Sequence, residues 1–205
     1  MLEKGSKVLI RTKAFSGNDI ITIGTITGYD DKTQNYRVYA NNETLYYKAD
    51  NIKEFKGEKF SLTGQFDSIN VGYTNINELD CFDVTARVLK LTNCISLKSL
   101  RGAPKVVANL SARNSGIKTL DYRYGKVRMM DIIGCPIENL RGCPMTNSVS
   151  MSFDYAKDCL FLVGRCKEFS LFPKVGQSTY VPIEAPIFRT KLSMIKKGLK
   201  AYANL

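Results

Sequence analysis

Ile69-Asn70-Val71, Leu89-Lys90-Leu91, Leu110-Ser111-Ala112, Met130-Asp131-Ile132 and Met151-Ser152-Phe153 carry one pattern, an apolar pair two residues apart that returns along residues 66–172. The pairs begin 20, 21, 20 and 21 residues apart. Three positions beyond each pair stands a small residue: Thr74, Cys94, Ser115, Cys135 and Ala156. In four units an apolar i, i+3 pair follows, Ile76/Leu79, Leu97/Leu100, Ile117/Leu120 and Ile137/Leu140. Three columns in step mark a stacked repeat, and a period near 20 residues with a short alternating strand predicts a solenoid. Side chains alternate across a strand, so each coil turns its pair inward against the same pair of its neighbours. Phe169/Leu171 continues the spacing as a sixth rung.

The pattern resembles leucine-rich-repeat proteins. More narrowly, Leu97-Lys98-Ser99-Leu100-Arg101-Gly102-Ala103-Pro104-Lys105-Val106-Val107 is similar to the L-x-S-L-x-G-x-P-x-x-V repeat of tailed-bacteriophage proteins, and Leu140-Arg141-Gly142-Cys143-Pro144 repeats part of it. The unit between, Leu120-Asp121-Tyr122-Arg123-Tyr124-Gly125, lacks the proline. The resemblance implies a binding scaffold encoded by a phage and acting in the infected bacterial cytoplasm or in the virion.

Before the repeats, Val8-Leu9-Ile10, Ile20–Ile26, Tyr36–Tyr39 and Thr44–Tyr47 are β-rich and separated by turn chemistry such as Ser16-Gly17-Asn18-Asp19 and Asn41-Asn42-Glu43. Their order looks like SH3-like barrels of the Tudor and KOW type. Tyr29, Tyr36, Tyr39, Tyr46 and Tyr47 invite an aromatic cage, while half-buried strands favour tyrosine without any ligand. A boundary near Gly57 divides a barrel at 1–57 from a solenoid at 58–172, which the barrel either joins through a linker or caps, because an uncovered first coil leaves Ile69 and Val71 facing water. Residues 173–205 follow as an extended segment with Pro173, Pro182 and Pro186, then a basic amphipathic helix from about Arg189 with Leu192, Ile195, Leu199 and Tyr202 on one stripe. The expected fold is therefore mainly β: a small SH3-like barrel, a short leucine-rich-repeat-like solenoid and a C-terminal helix.

The absence of histidine removes the commonest general base. No phosphate-loop, zinc-protease, nucleophile-elbow or calcium-loop motif occurs, which points away from an enzyme. Cys81, Cys94, Cys135, Cys143, Cys159 and Cys166 form no C-x-x-C, and Cys94 and Cys135 already fill the small column. Free thiols in a reducing cytoplasm are expected, with no metal and no cofactor. Met1–Lys13 lacks the apolar core of a signal peptide, and no run of eighteen apolar residues occurs, so no membrane association is expected.

The net charge of +11 divides as +2 over residues 1–60, +4 over 61–172 and +5 over 173–205. A basic patch is expected from Lys98, Arg101, Lys105, Lys118, Arg123, Lys126 and Arg128, with Lys196, Lys197 and Lys200 in the tail. Arg113 adds to the first group, which faces Asp121 alone among acids between 98 and 128. Such a field is either a solvated face or one that attracts an acidic protein or nucleic acid. Outward strand residues alternate with the buried pairs: Asn70, Lys90, Ser111, Asp131 and Ser152, flanked by Val88, Asn109 and Met129 before and Thr92, Arg113 and Ile133 after. Val88, Lys90, Arg113, Met129, Asp131 and Ile133 then make an apolar strip ringed by charge, the character of a protein-binding face. The expected function is non-enzymatic docking of a host or phage protein for host takeover or anti-defence. A structural component of the virion and a nucleic-acid-binding accessory protein are the alternatives.

Overall fold

The computed structural model describes residues 2–152, 162, 165–172, 178–183 and 187–200. In chain order the strands are β1 (Lys7–Lys13), β2 (Asp19–Asp30), β3 (Asn35–Ala40), β4 (Glu43–Lys48), β5 (Ile52–Glu54), β6 (Lys59–Ser61), β7 (Gly64–Asn70), β8 (Glu78–Asp80), β9 (Val84–Lys90), β10 (Val106–Ser111), β11 (Lys126–Asp131), β12 (Met145–Ser152), β13 (Glu168–Phe172) and β14 (Thr179–Pro182), followed by one helix, α1 (Ile187–Lys196). The protein is mainly β, and its centre is the predicted stack. Strands β7, β9, β10, β11, β12 and β13 pair in parallel, one per coil.

The register explains why the apolar pairs recur. Ile69, Leu89, Leu110, Met130, Val149 and Phe169 lie opposite one another in turn, so each coil buries its residue on the same residue of the next. The second column, Val71, Leu91, Ala112, Ile132, Met151 and Leu171, is likewise buried. The fifth pair is thus Val149/Met151, two residues earlier than Met151/Phe153, and Phe153 and Ala156 lie outside the described residues. Val149, Met151 and Phe153 are all apolar and all of one parity, so alternation cannot choose between them; a two-residue slip leaves every side chain on its own face. Phe169/Leu171 is the sixth rung, as expected.

An additional inward residue opens each strand: Phe66, Ala86, Val107, Val127 and Thr146 are buried three positions before the first column. That spacing reverses the alternation once per coil and turns two consecutive residues outward, such as Arg87 and Val88 or Arg128 and Met129.

On the opposite wall Ile76, Leu79, Leu97, Leu100, Ile117, Leu120, Ile137 and Leu140 are all buried. Here β-structure is brief, with β6 on β8 in parallel and one bridge between Ser99 and Thr119. The small column supplies buried donors between coils. Cys94 Sγ donates to Val71 O at 3.2 Å, Cys135 Sγ to Ala112 O at 2.8 Å, and Ser115 Oγ to Leu91 O. Gly102, at φ 78°, is required by close approach, since a Cβ there would stand 1.9 Å from Leu79 O. In the unit without proline, Tyr122 is buried and its hydroxyl donates to Pro104 O of the preceding coil.

The N-terminal strands form an antiparallel array in the order β5-β1-β2-β3-β4, with a 3₁₀ turn at Ala49–Asn51 before β5. Its small core is Val8, Ile10, Ile26, Tyr36, Val38, Ala40 and Ile52. The tyrosines divide between environments: Tyr36 is buried with its ring 4.8 Å from that of Tyr29, whereas Tyr39 and Tyr46 are exposed. The first part of β2 pairs in parallel with β7, placing Ile21 opposite Ile69. Ile21 and Ile23 consequently belong to the solenoid core, and one twelve-stranded sheet runs through both parts.

At the far end, β14 pairs antiparallel with β13, regular structure in a stretch expected to be irregular. Pro182 is tolerated there because β14 is an edge strand. The helix follows, but its buried face is Thr190 and Met194, with Leu199 just beyond it, and Leu192 is exposed. The expected stripe is corrected at Leu192. A polar threonine among the inward positions hid the true face. Tyr202 lies outside the described residues. No helix among these residues is long and apolar enough to cross a membrane.

Candidate macromolecule-binding surface

The outward side of the parallel sheet carries the residues read from the alternation. Val88 lies opposite Asn109 and Asn109 opposite Met129; Lys90 lies opposite Ser111 and Ser111 opposite Asp131. In the fifth coil that second column continues with Ser150 and not Ser152, for the reason of register given above. Arg113 and Ile133 stand in the corners after the strands, where Asn114 N donates to Ile133 O. Val88, Lys90, Met129 and Asp131 thus lie on the paired strands, with Arg113 and Ile133 beyond their ends. Two features alter the character of this face: Asn109 separates Val88 from Met129, and most of its charges other than Lys90 are internally matched. Arg113 pairs with Asp131 at 2.5 Å, and Arg87 holds Asp67 through two bonds of 2.9 and 2.8 Å. The Arg87 guanidinium holds the Asp67 carboxyl below its ordinary value.

The basic residues fall on different sides of the coil. Lys98 and Lys118 lie on the opposite wall, beside Leu97 and Ile117: Lys98 Nζ donates to Ile95 O at 2.7 Å, and Lys118 is 3.8 Å from Glu138. Lys196, Lys197 and Lys200 belong to the C-terminal cap, where cations suit the end of a helix. Arg101, Lys105, Arg123 and Lys126 come together instead on the turns that lead into β10 and β11. These turns are stacked by backbone bonds, Lys105 N to Phe82 O at 3.1 Å, Lys126 N to Lys105 O at 2.8 Å and Met145 N to Gly125 O at 3.1 Å.

The sequence reading missed what lies between those cations on this leading edge. Phe82 (43% exposed), Val106 (41%), Tyr124 (78%) and Met145 (51%) occupy neighbouring coils along it. Lys105 Nζ sits 5.9 Å from the centroid of the Phe82 ring. Two hollows follow, one of about 360 Å³ beside Phe82, Arg101, Arg123 and Tyr124 and one of about 460 Å³ beside Lys126, Arg128, Met145 and Lys167. Arg165 spans the turns, donating to Cys143 O at 3.1 Å and Arg123 O at 3.3 Å. Arg101, Lys105, Arg123, Lys126, Arg128 and Lys167 form no ion pair with a described residue. The available signal was positional: an aromatic or apolar residue recurs just before the strand or as its first residue, where the strand pattern itself gives it no inward task.

Chemical groups elsewhere are arranged for packing. Cys81, Cys94, Cys135, Cys143 and Cys166 are buried and form no disulfide among the described residues, and Cys159 lies outside them. Burial pushes the thiols of Cys81, Cys135 and Cys166 up to about 11, and that of Cys143 higher still. Among the described residues, no three histidine, cysteine or acidic side chains are grouped to hold a metal. The shifted carboxylates, Asp19 beside Arg11, Asp30 beside Thr33, Asp67 beside Arg87 and Asp80 beside Lys59, are all lowered. Comparison with protein-family models, with curated proteins and with solved structures gives no match.

Proposed function

We propose that the protein is a non-enzymatic binding scaffold that docks an acidic face of another protein along the leading edge of its coils. One observation carries this: unpaired cations alternate there with exposed Phe82, Tyr124 and Met145. Rings and thioether supply apolar anchors, while the cations favour an acidic partner and speed its approach. The matched pairs Arg113–Asp131 and Arg87–Asp67 leave less unsatisfied charge on the strand face. That face therefore borders the contact through Arg128 and Met129. Lowered carboxylates and raised thiols also suit binding better than acid–base or nucleophilic chemistry.

A phage origin, with a host or phage protein as the partner, rests on the L-x-S-L-x-G-x-P repeat alone. The order β5-β1-β2-β3-β4 and the 3₁₀ turn support an SH3-like barrel whose role is to cap the first coil. Affinity purification from bacterial lysate on the immobilised chain tests the docking reading. An acidic protein should be retained by the parent and by Ile133→Asp but lost with Tyr124→Asp or Met145→Asp. Retention that ignores both edge substitutions while failing with Ile133→Asp would move the contact to the strand face.

A further inference from the structure

The corner after each of β7, β9, β10 and β11 places one residue in the left-handed region, and three of the four take residues suited to it. Asn93 has φ 58°, Asn114 φ 54° and Gly134 φ 75°. The fourth is Tyr73, at φ 60°, the one aromatic at positive φ among the described residues. A bulky side chain is strained there, whereas asparagine and glycine are at ease. The backbone does not ask for tyrosine. Tyr73 N donates to Thr92 O at 2.8 Å, as Asn93 N does to Arg113 O and Asn114 N to Ile133 O, both at 2.9 Å. The core does not ask for it either, because Tyr73 is 68% exposed. A residue that is strained locally and unused in packing points to a task outside the fold.

That ring borders a cleft of about 640 Å³ between the N-terminal sheet and the first two coils. Tyr39, Lys7, Lys90, Asn41 and Asn70 also line it, and no described acidic residue does. Tyr39 is 48% exposed. Lys7 Nζ is steadied by Thr25 Oγ1 at 2.7 Å, which leaves further donors free. Asn70 Nδ2 donates to Asn41 Oδ1 across the cleft, and Gly72 N donates to Asn70 Oδ1 at 3.1 Å, so the two walls are tied together.

We propose that this cleft binds a nucleotide, either free or at the end of a single strand. The exposed tyrosine rings offer a stacking face for the base. Lys7 and Lys90 meet the phosphate with charge-assisted bonds. The Asn41 amide nitrogen, whose oxygen accepts from Asn70, is suited to the polar edge of an unstacked base. An acidic peptide would use the lysines and leave the rings idle; a neutral sugar would do the reverse. The site stands apart from the leading edge and does not depend on the docking reading.

Isothermal titration of the full chain with adenosine monophosphate, cytidine monophosphate and a short 5′-phosphorylated oligothymidylate tests the proposal, with adenosine, inorganic phosphate and a polyglutamate peptide as controls. At least one nucleotide ligand should bind more tightly than any control. Tighter binding of the oligonucleotide identifies a strand end as the source, and tighter binding of a monophosphate identifies the free nucleotide. Tyr73→Asn should weaken binding about five- to a hundredfold, and Lys90→Gln about tenfold. Tyr73→Asn should also melt at or above the parent temperature, because it restores the corner residue of the next two coils. No heat with any nucleotide, equal binding of polyglutamate, or affinity unchanged by both substitutions would overturn the assignment.

Discussion

Ser115 shows how little latitude a single position has inside a stacked coil. It is 2% exposed and donates to the carbonyl of Leu91 in the coil before, in the column where Cys94 and Cys135 make the same kind of bond. Leu91 O also accepts from Cys94 N, so removing the hydroxyl does not orphan it completely. Ser115→Ala should therefore cost about 1 kcal/mol, the net value of one hydrogen bond, by urea titration. The thiols give a pH signature. Cys81, Cys135 and Cys166 have folded values of about 11, above the ordinary 9.0. A raised value means that their contribution is complete below the unfolded value and is lost as pH climbs through the folded one. Stability should hold from neutral pH to about 9 and fall between about 9 and 11, and a thiol reagent near neutral pH should label these three only after denaturation.

Among the elements, the columns that define a coil were legible because burial imposes them directly. Leu91, Leu100 and Leu110 each face equivalents in adjacent coils and are almost fully buried. Leu91→Ala, Leu100→Ala and Leu110→Ala should each cost about 2 to 5 kcal/mol, while exposed Lys98→Ala should stay within about 0.5 kcal/mol in the same titration. Equal costs for lysine and leucine would contradict the observed register. Three things were not legible. The phase reversal between Ala86 and Leu89 lies in the backbone, and alternation from Leu89 alone does not reveal a buried residue three positions earlier. The register at Val149 was ambiguous because three apolar residues of one parity follow one another. The leading edge escaped because Phe82 and Tyr124 belong to the turns and Met145 is the first residue of β12, positions where the repeat imposes no apolar requirement.

At the scale of the whole molecule, the N-terminal sheet and the solenoid are joined through β2, with Ile21 on Ile69, and the C-terminal end is covered by β14 and α1. The first and last strands of the parallel stack are thereby paired, which moves the sheet's open edges away from the coils. The long flank of the coils remains available, and on it the cations sort by position: Lys98 and Lys118 are engaged locally, whereas Arg101, Lys105, Arg123 and Lys126 are gathered beside exposed rings. Part of this was visible as the charge concentration at residues 98–128. Which cations share an edge depends on the turn geometry, and no count of residues supplies that.

The most direct test of docking at this edge is the pair of rate constants for a protein retained by the parent, measured against two variants. Neutralising Arg123 and Lys126 together with glutamine should slow association by about tenfold at low salt and leave dissociation nearly unchanged. Tyr124→Asp should speed dissociation by at least about 2 kcal/mol worth of affinity. Unchanged rates in both variants would contradict the assignment of the edge. So would steeply salt-dependent binding to random-sequence DNA that survives Tyr124→Asp but disappears with the two cations, the behaviour of a phosphate track.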